Sequence, residues 1–264
     1  MRKTIFTITA VAAVCMLTLF ACRKNAKTDS TTTVSDEALA QIYNLGFSNK
    51  DVIADGKGNY IVEGDILLSP EDLHAKSDVS LLRVGGEEQY RTTNLVRNLP
   101  RTITVSLASN LSTWSTALNT AISRYNALGL QITFTRVTSG GNISIVNGSG
   151  SFLASSGFPT SSGNPYNQVI LNSSQVAGQP NNTVASILAH EMGHCIGFRH
   201  TDYFNRAYSC GGSAVNEGSA GVGAINIPGT PTAADPNSWM LSCIGSGQDR
   251  PFNANDKVAL NYLY

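Results

Sequence analysis

Charge is scarce in this sequence. Only 14% of its 264 residues are Asp, Glu, Lys or Arg, and the signs cancel to a formal net charge of zero. A nucleic-acid binder carries a basic surface, so that class is excluded. Apolar runs that could span a bilayer are missing beyond residue 20. Histidine is scarcer still, with four in the whole chain. Glycine is plentiful at 24 residues, and Ser, Thr and Asn are frequent, which suits a secreted protein with many polar loops.

The N-terminus reads as a targeting segment. Met1-Arg2-Lys3 precedes an apolar run over residues 5–20, too short for a comfortable membrane span. The run ends Leu19-Phe20-Ala21-Cys22, which resembles the bacterial lipoprotein cleavage box. Residues 1–21 are therefore expected to be a signal peptide and Cys22 the lipidated residue. Residues 22–35, polar and Thr/Ser-rich, read as a tether. The expected location is the bacterial cell envelope, lipid-anchored, with release by proteolysis open. Beyond the leader three cysteines remain: Cys195, Cys210 and Cys243. An oxidising compartment favours a disulfide. Cys210 and Cys243, both in loop-rich sequence, are the preferred pair, and Cys195 reads as core.

Three of the four histidines fall in one stretch, A-H-E-M-G-H-C-I-G-F-R-H-T-D, over residues 189–202. His190 and His194 are four apart, hence on one helical face, so both imidazoles can hold one metal ion. Glu191 can reach a metal-bound water as general base. Gly197 can take positive φ, end the helix and turn the chain so that His200 completes the set. Three neutral imidazoles with an open fourth position suit catalytic Zn2+. Five fixed positions, at roughly one in twenty each, arise by chance in on the order of one in ten thousand chains of this length.

At these residues the sequence resembles the metzincin metallopeptidases. In that group a methionine turn packs beneath the metal, and Ser238-Trp239-Met240 fits it. The H-C-I-G-F-R-H-T-D run resembles bacterial secreted peptidases of the dual-action HIGH type, relatives of the astacins. The resemblance implies an α+β catalytic domain: a twisted mixed sheet with an edge strand, helices, the zinc helix and the methionine turn. It also implies a protein or peptide substrate. Two departures from the astacin pattern stand out. Ser242 occupies the place of the tyrosine that serves astacins as a fifth ligand, and Thr201 replaces the glutamate after the third histidine. Asp202 is a candidate partner orienting a ligand histidine.

Periodicity places the elements. Residues 36–45 suggest a short helix, and residues 58–68 a strand pair turning at Glu63-Gly64-Asp65. The catalytic domain is expected over 98–264, and 36–97 as a smaller N-terminal region, a candidate propeptide. Within 98–264, strands are expected at 102–107, 130–137, 142–146 and 169–171. A helix capped by Asn110 or Ser112 runs to about 128, and the zinc helix is capped by Asn181 or Asn182. A last helix spans 253–264, capped by Asn253 or Asn255. The cleft edge strand should lie within 148–166, where an extended substrate would pair with it.

The turn at residues 62–65 carries two readings. It resembles the aromatic-x-G-D segment of astacin propeptides, whose aspartate caps the zinc, with Val62 in place of the aromatic. Asp65 is then a candidate latency ligand. Equally, Gly and Asp are ordinary in turns. No cysteine lies between Cys22 and Cys195, so a cysteine switch of the matrixin kind is excluded unless Cys22 serves. The sequence thus points to a zinc endopeptidase, expected to be monomeric. The alternative is a non-catalytic, zinc-stabilised adhesin or glycan-binding lipoprotein on the same scaffold, for which Glu191 would have no use.

Overall fold

The computed structural model describes residues 33–74, 89–217, 223–231 and 235–264. The signal-peptide and lipidation expectations, Cys22 included, lie outside them. Among the described residues no helix is long and apolar enough to cross a membrane.

The chain opens with α1 (Asp36–Asn44), capped by Ser35, whose side chain accepts from the Ala38 N–H. Three short strands follow as an antiparallel meander: β1 (Ile53–Ala54), β2 (Tyr60–Val62) and β3 (Ile66–Leu68). Helix α2 (Pro70–Leu73) starts on a Ser69/Asp72 capping box. After β4 (Tyr90–Arg91) comes β5 (Arg101–Leu107), whose alternation buries Ile103 and Val105. A 3-10 stretch (Ser109–Trp114) then leads into α3 (Ser115–Asn126). The sheet continues with β6 (Ile132–Val137), β7 (Ile143–Asn147), β8 (Ala154–Ser156) and β9 (Gln168–Leu171). Helix α4 (Asn181–Ile196), α5 (Ala207–Cys210), β10 (Ile225–Asn226) and α6 (Ala254–Leu263) complete the order.

Eight described strands form one mixed sheet in the order β1-β2-β3-β8-β9-β7-β5-β6. Strands β6, β5, β7 and β9 run parallel, β8 is antiparallel to β9, and β3 pairs parallel with β8. The fold is α+β, as the sequence predicts. Helices α3 and α4 pack together against the sheet. Leu118, Ala121 and Tyr125 of α3 meet Val184, Leu188 and Met192 of α4 in one continuous core. Burying each large apolar side chain there contributes about 1.5–3 kcal/mol. The Tyr125 hydroxyl donates to Ala189 O at 2.7 Å, so the two helices are also joined by a buried polar contact. Every residue of α4 from Thr183 to Ile196 is buried, which explains why the helix shows no polar face.

Several boundaries differ from the sequence-based expectations. Neither Asn110 nor Ser112 caps α3, because the 3-10 turn intervenes and no side chain caps its start. The cap position of α4 is Pro180, with Asn181 and Asn182 already helical. For α6 the cap is Asn253, in a capping box with Asp256. Residues 89–97 pack with the catalytic half: Val96 belongs to its core, and the Arg199 N–H donates to Tyr90 O at 2.9 Å. Residues 36–73 have a core of their own, built from Ile42, Phe47, Val62, Ile66, Leu68 and Leu73. The edge strand is β8, but its outer side is covered by β3: Ile66 is in register with Ser156, and the Ser156 N–H donates to Asp65 O at 2.9 Å.

Candidate metal centre and cleft

The site is built on the last turns of α4. His190 and His194 project from one face, one turn apart. Gly197 ends the helix at φ 113°, and the Phe198 N–H donates back to Gly193 O at 2.9 Å. Only glycine fits, since a Cβ there would lie 2.7 Å from Leu95 Cδ2 and 2.9 Å from Asn94 O. The chain then runs along residues 90–92, with the Thr92 N–H donating to Gly197 O at 2.8 Å, and delivers His200 to the other two histidines.

Each imidazole is oriented through its Nδ1 atom. His190 Nδ1 lies 2.9 Å from Trp239 O, and His194 Nδ1 lies 2.8 Å from Phe198 O. Carbonyl oxygens only accept, so both Nδ1 atoms carry the proton and both Nε2 atoms present lone pairs. His200 Nδ1 lies 3.0 Å from each Glu217 oxygen. The three Nε2 atoms converge, with His194 3.0 Å from His190 and 3.2 Å from His200. Asp65 Oδ2 closes the fourth side, 3.1 Å from His200 Nε2 and 3.3 Å from His190 Nε2. Lone pairs and a carboxylate facing one point call for positive charge between them, which a metal ion or a proton on His200 can supply. Three imidazoles and one carboxylate, all within 4.8 Å of one another, are a donor set that fits Zn2+.

In the metal-free cluster a proton takes the cation's part: burial lowers His200, but Asp65 and then Glu217 outweigh it and hold His200 well above the usual histidine range. Burial, then the neighbouring imidazoles of His190 and His200, hold His194 well below the usual histidine range, hence neutral. Burial opposes ionisation of Asp65, yet His200 and His190 outweigh it and keep the carboxyl ionised. Burial pushes Glu191 well above the usual carboxylate range, and Asp65 adds to this. Glu191 Oε2 accepts from Ser156 Oγ at 2.7 Å, so the carboxylate is anchored to β8.

A family model described as dual-action HEIGH metallopeptidase matches residues 61–264. The chain belongs to that family. Among solved structures, myroilysin matches with 19% identity and a TM-score of 0.33, over 42% of this chain and 54% of that one. This chain thus spans about half the length of that relative. A crystal structure of myroilysin matches at 16% identity and TM-score 0.39, over 62% and 83% of the two chains. High choriolytic enzyme 1, a hatching enzyme zinc-protease from the medaka fish Oryzias latipes, matches at 19% and 0.39, over 61% and 88%. No curated protein sequence matches.

The methionine turn and the cysteines also have their places in the structure. Met240 lies fully buried beneath the histidines, and the Thr201 N–H donates to Met240 O at 2.9 Å. Gly193, unexplained by the motif spacing, is where Met240 packs: a Cβ there would lie 2.7 Å from the Met240 sulfur. Asp256 holds the turn from behind, accepting from Ser238 Oγ at 2.9 Å and the Trp239 N–H at 3.1 Å. Cys210 and Cys243 are joined by a disulfide, and Cys195 is free and buried.

Asp202 requires a correction. It reaches no ligand histidine; its Oδ1 accepts from the Ser242 N–H at 2.9 Å and its Oδ2 from Ser209 Oγ at 2.6 Å. It thereby ties the methionine turn to α5. The carboxylate that orients a ligand histidine is Glu217, which sequence reasoning missed. A single Glu in a loop, 17 positions beyond His200, leaves no spacing signal. Ser242 lies on Asp202 and Glu217, 2.8 and 3.2 Å from its hydroxyl. Beside His190 and Glu191 opens a cavity of about 220 Å³, lined by Ile187, Leu241, Arg206 and Arg250 and, from the N-terminal segment, by Gly64 and Asp65.

Proposed function

We propose that this chain is a zinc endopeptidase of the bacterial cell envelope, anchored through Cys22, with Glu191 as general base and its own residues 60–68 closing the cleft. The observation that carries the reading is the position of Asp65. It faces the three Nε2 atoms where a substrate carbonyl and water would bind, while β3 occupies the outer edge of β8. A bound Zn2+ supplies Lewis acidity and lowers the pKa of a water in its open position.

The chain's own groups do the rest. Once residues 60–68 leave, the β8 edge can pair with an extended peptide by main-chain hydrogen bonds. The cavity beside Ile187 and Leu241 takes a neighbouring side chain. Glu191, with its proton affinity raised by burial, accepts the proton as water adds to the scissile carbonyl carbon. It then delivers that proton to the departing amine nitrogen. Residues 36–73 have a core of their own, but Ile61 and Leu67 share a buried cluster with Phe152 and Ile170, so a cut between residues 74 and 89 would free the cleft only once these contacts separate.

The test is zinc content and hydrolysis of a denatured protein by the full chain. Asp65→Ala should cleave faster than wild type, and Glu191→Ala should keep zinc and lose nearly all turnover. Wild-type turnover in Glu191→Ala would exclude the general-base role. Turnover in Asp65→Ala/Glu63→Gln no higher than in Glu63→Gln alone would exclude latency through Asp65.

A further inference from the structure

We infer that Glu63 and Arg199 form a second lock on the N-terminal segment, independent of the metal. The inference rests on the reading of residues 60–68 as the element that closes the cleft. Arg199 lies between Phe198 and His200 and is 1% exposed. Its NH2 group donates to Glu63 Oε2 at 3.0 Å, and Glu63 is itself buried. Glu63 Oε1 accepts from the Ser48 N–H at 3.2 Å, so the carboxylate is fixed at both ends. The guanidinium also sits 5.4 Å from the ring centre of Phe47, another residue of the N-terminal segment.

The backbone supports a specific role for Glu63. It adopts φ 57°, followed by Gly64 at φ 92°. Two successive positive-φ residues make the tight hairpin turn that usually takes Asn or Asp before Gly. A glutamate there is conformationally unfavourable, and a shorter side chain would turn more easily. What glutamate supplies is reach to Arg199. Gly64 is equally constrained, since a Cβ would lie 2.2 Å from the Arg206 guanidinium. Three successive residues thus dock on three different partners: Glu63 on Arg199, Gly64 beneath Arg206, and Asp65 on the histidines.

The two carboxylates differ in what holds them. Asp65 is held at the histidines, where the charge changes with metal and proton, whereas Glu63 meets a guanidinium that stays charged. Glu217 Oε2, 3.8 Å from Arg199 NH2, is the other carboxylate beside that guanidinium. When the segment leaves, Glu217 is positioned to take Arg199 over.

The test is amide hydrogen exchange of the full chain, metal-free and zinc-loaded, read at Ile66–Leu68. Metal-free wild type should keep β3 protected. Metal-free Glu63→Gln should exchange there about tenfold faster, with Ser115–Asn126 of α3 unchanged. Zinc should restore part of that protection. If α3 also loses protection, Arg199→Lys decides: it keeps the charge but loses the planar fork, so opening confined to residues 36–74 supports the lock. Wild type that opens fully on metal removal, or Glu63→Gln and Arg199→Lys that both match wild type, would overturn it. The readout does not use hydrolysis, so an inactive chain leaves it interpretable.

Discussion

Replacing Glu217 should weaken zinc binding although Glu217 touches no metal. Both its oxygens lie 3.0 Å from His200 Nδ1, and the side chain is completely buried. In Glu217→Ala the Nδ1–H loses its acceptor, so nothing fixes the ring's orientation or keeps its proton on Nδ1. The buried Arg199 also loses the more distant of its two neighbouring carboxylates and keeps Glu63. Outer partners of this kind typically account for 10–100-fold in metal affinity, so a loss of roughly 1.4–2.7 kcal/mol is expected. Glu217→Gln separates the two contributions. Its amide oxygen can still accept from Nδ1–H, keeping the orientation and losing only the charge. A neutral acceptor retains about half the strength of a charged one, so the Gln variant should fall between wild type and Ala. The assay is competition for Zn2+ against a chromophoric chelator, with far-UV circular dichroism as the control for folding. Affinity within twofold of wild type in Glu217→Ala would refute the argument that Glu217 sets the third ligand.

Three further outcomes follow from the packing around the site. Gly193→Ala gains about 1 kcal/mol of helix propensity but drives a Cβ to 2.7 Å from the Met240 sulfur in a closed core. Overpacking costs about 1–3 kcal/mol, so the thermal midpoint should fall, and an unchanged or higher midpoint would contradict close packing under the metal. Tyr264→Phe removes the hydroxyl that donates to Ile196 O and accepts from the Val96 N–H at 3.2 Å. About 1–3 kcal/mol should be lost in urea titrations, with zinc content unchanged; equal urea midpoints would sink the assignment. Asp256 is pushed up from an ordinary 3.8 to about 6, chiefly by burial. The folded state therefore holds this proton more tightly than the unfolded one. That stabilisation, roughly 3 kcal/mol, is fully present below pH 3.8 and lost as pH rises through about 6. Asp256→Asn should remove this fall from the stability profile between about pH 4 and 6, and identical slopes in both proteins would show that Asp256 does not titrate there.

What could be read from the sequence was whatever local spacing encodes. The two helical histidines, Glu191, the glycine that ends α4 and the third histidine are fixed by offsets of a few residues. Ile103 and Val105 announced their strand by alternation. The misses were of another kind. Strand β8 is three residues, Ala154–Ser156, within a Gly/Ser-rich stretch, and its identity comes from pairing with β9 and β3. Proximity in sequence pointed to Asp202 as the partner of a histidine. The turn after His200 carries Asp202 toward Ser242 and Ser209 instead, and Glu217 fills the role from a loop. Helix starts were misplaced for a related reason: Asn110 and Ser112 are good caps in isolation, yet the buried Leu111 and Trp114 fit a 3-10 turn that delays α3 to Ser115.

The segment Glu63-Gly64-Asp65 shows how far composition can mislead about purpose. As a sequence it reads either as an ordinary strand-to-strand turn or as a metal-capping aspartate. In the structure the two readings are compatible, because the turn is what aims the Asp65 carboxylate at His190 and His200. Strands β2 and β3 pair antiparallel across it, with Val62 opposite Ile66, so the residue leaving the turn projects at the end of the hairpin. Joining β3 to β8 then carries that end to the histidines. The small core of Ile42, Phe47, Val62 and Ile66 gives the hairpin a rigid base. A free peptide with the same residues would have to order its backbone on binding, at about 1–2 kcal/mol per residue. Prefolded on its own core, the hairpin presents Glu63 and Asp65 together and avoids most of that cost. Added as a separate molecule, a peptide of residues 60–68 should therefore inhibit an opened enzyme far more weakly than the attached segment does. Equal inhibition at equal effective concentration would show that the core of residues 36–73 contributes nothing to closure.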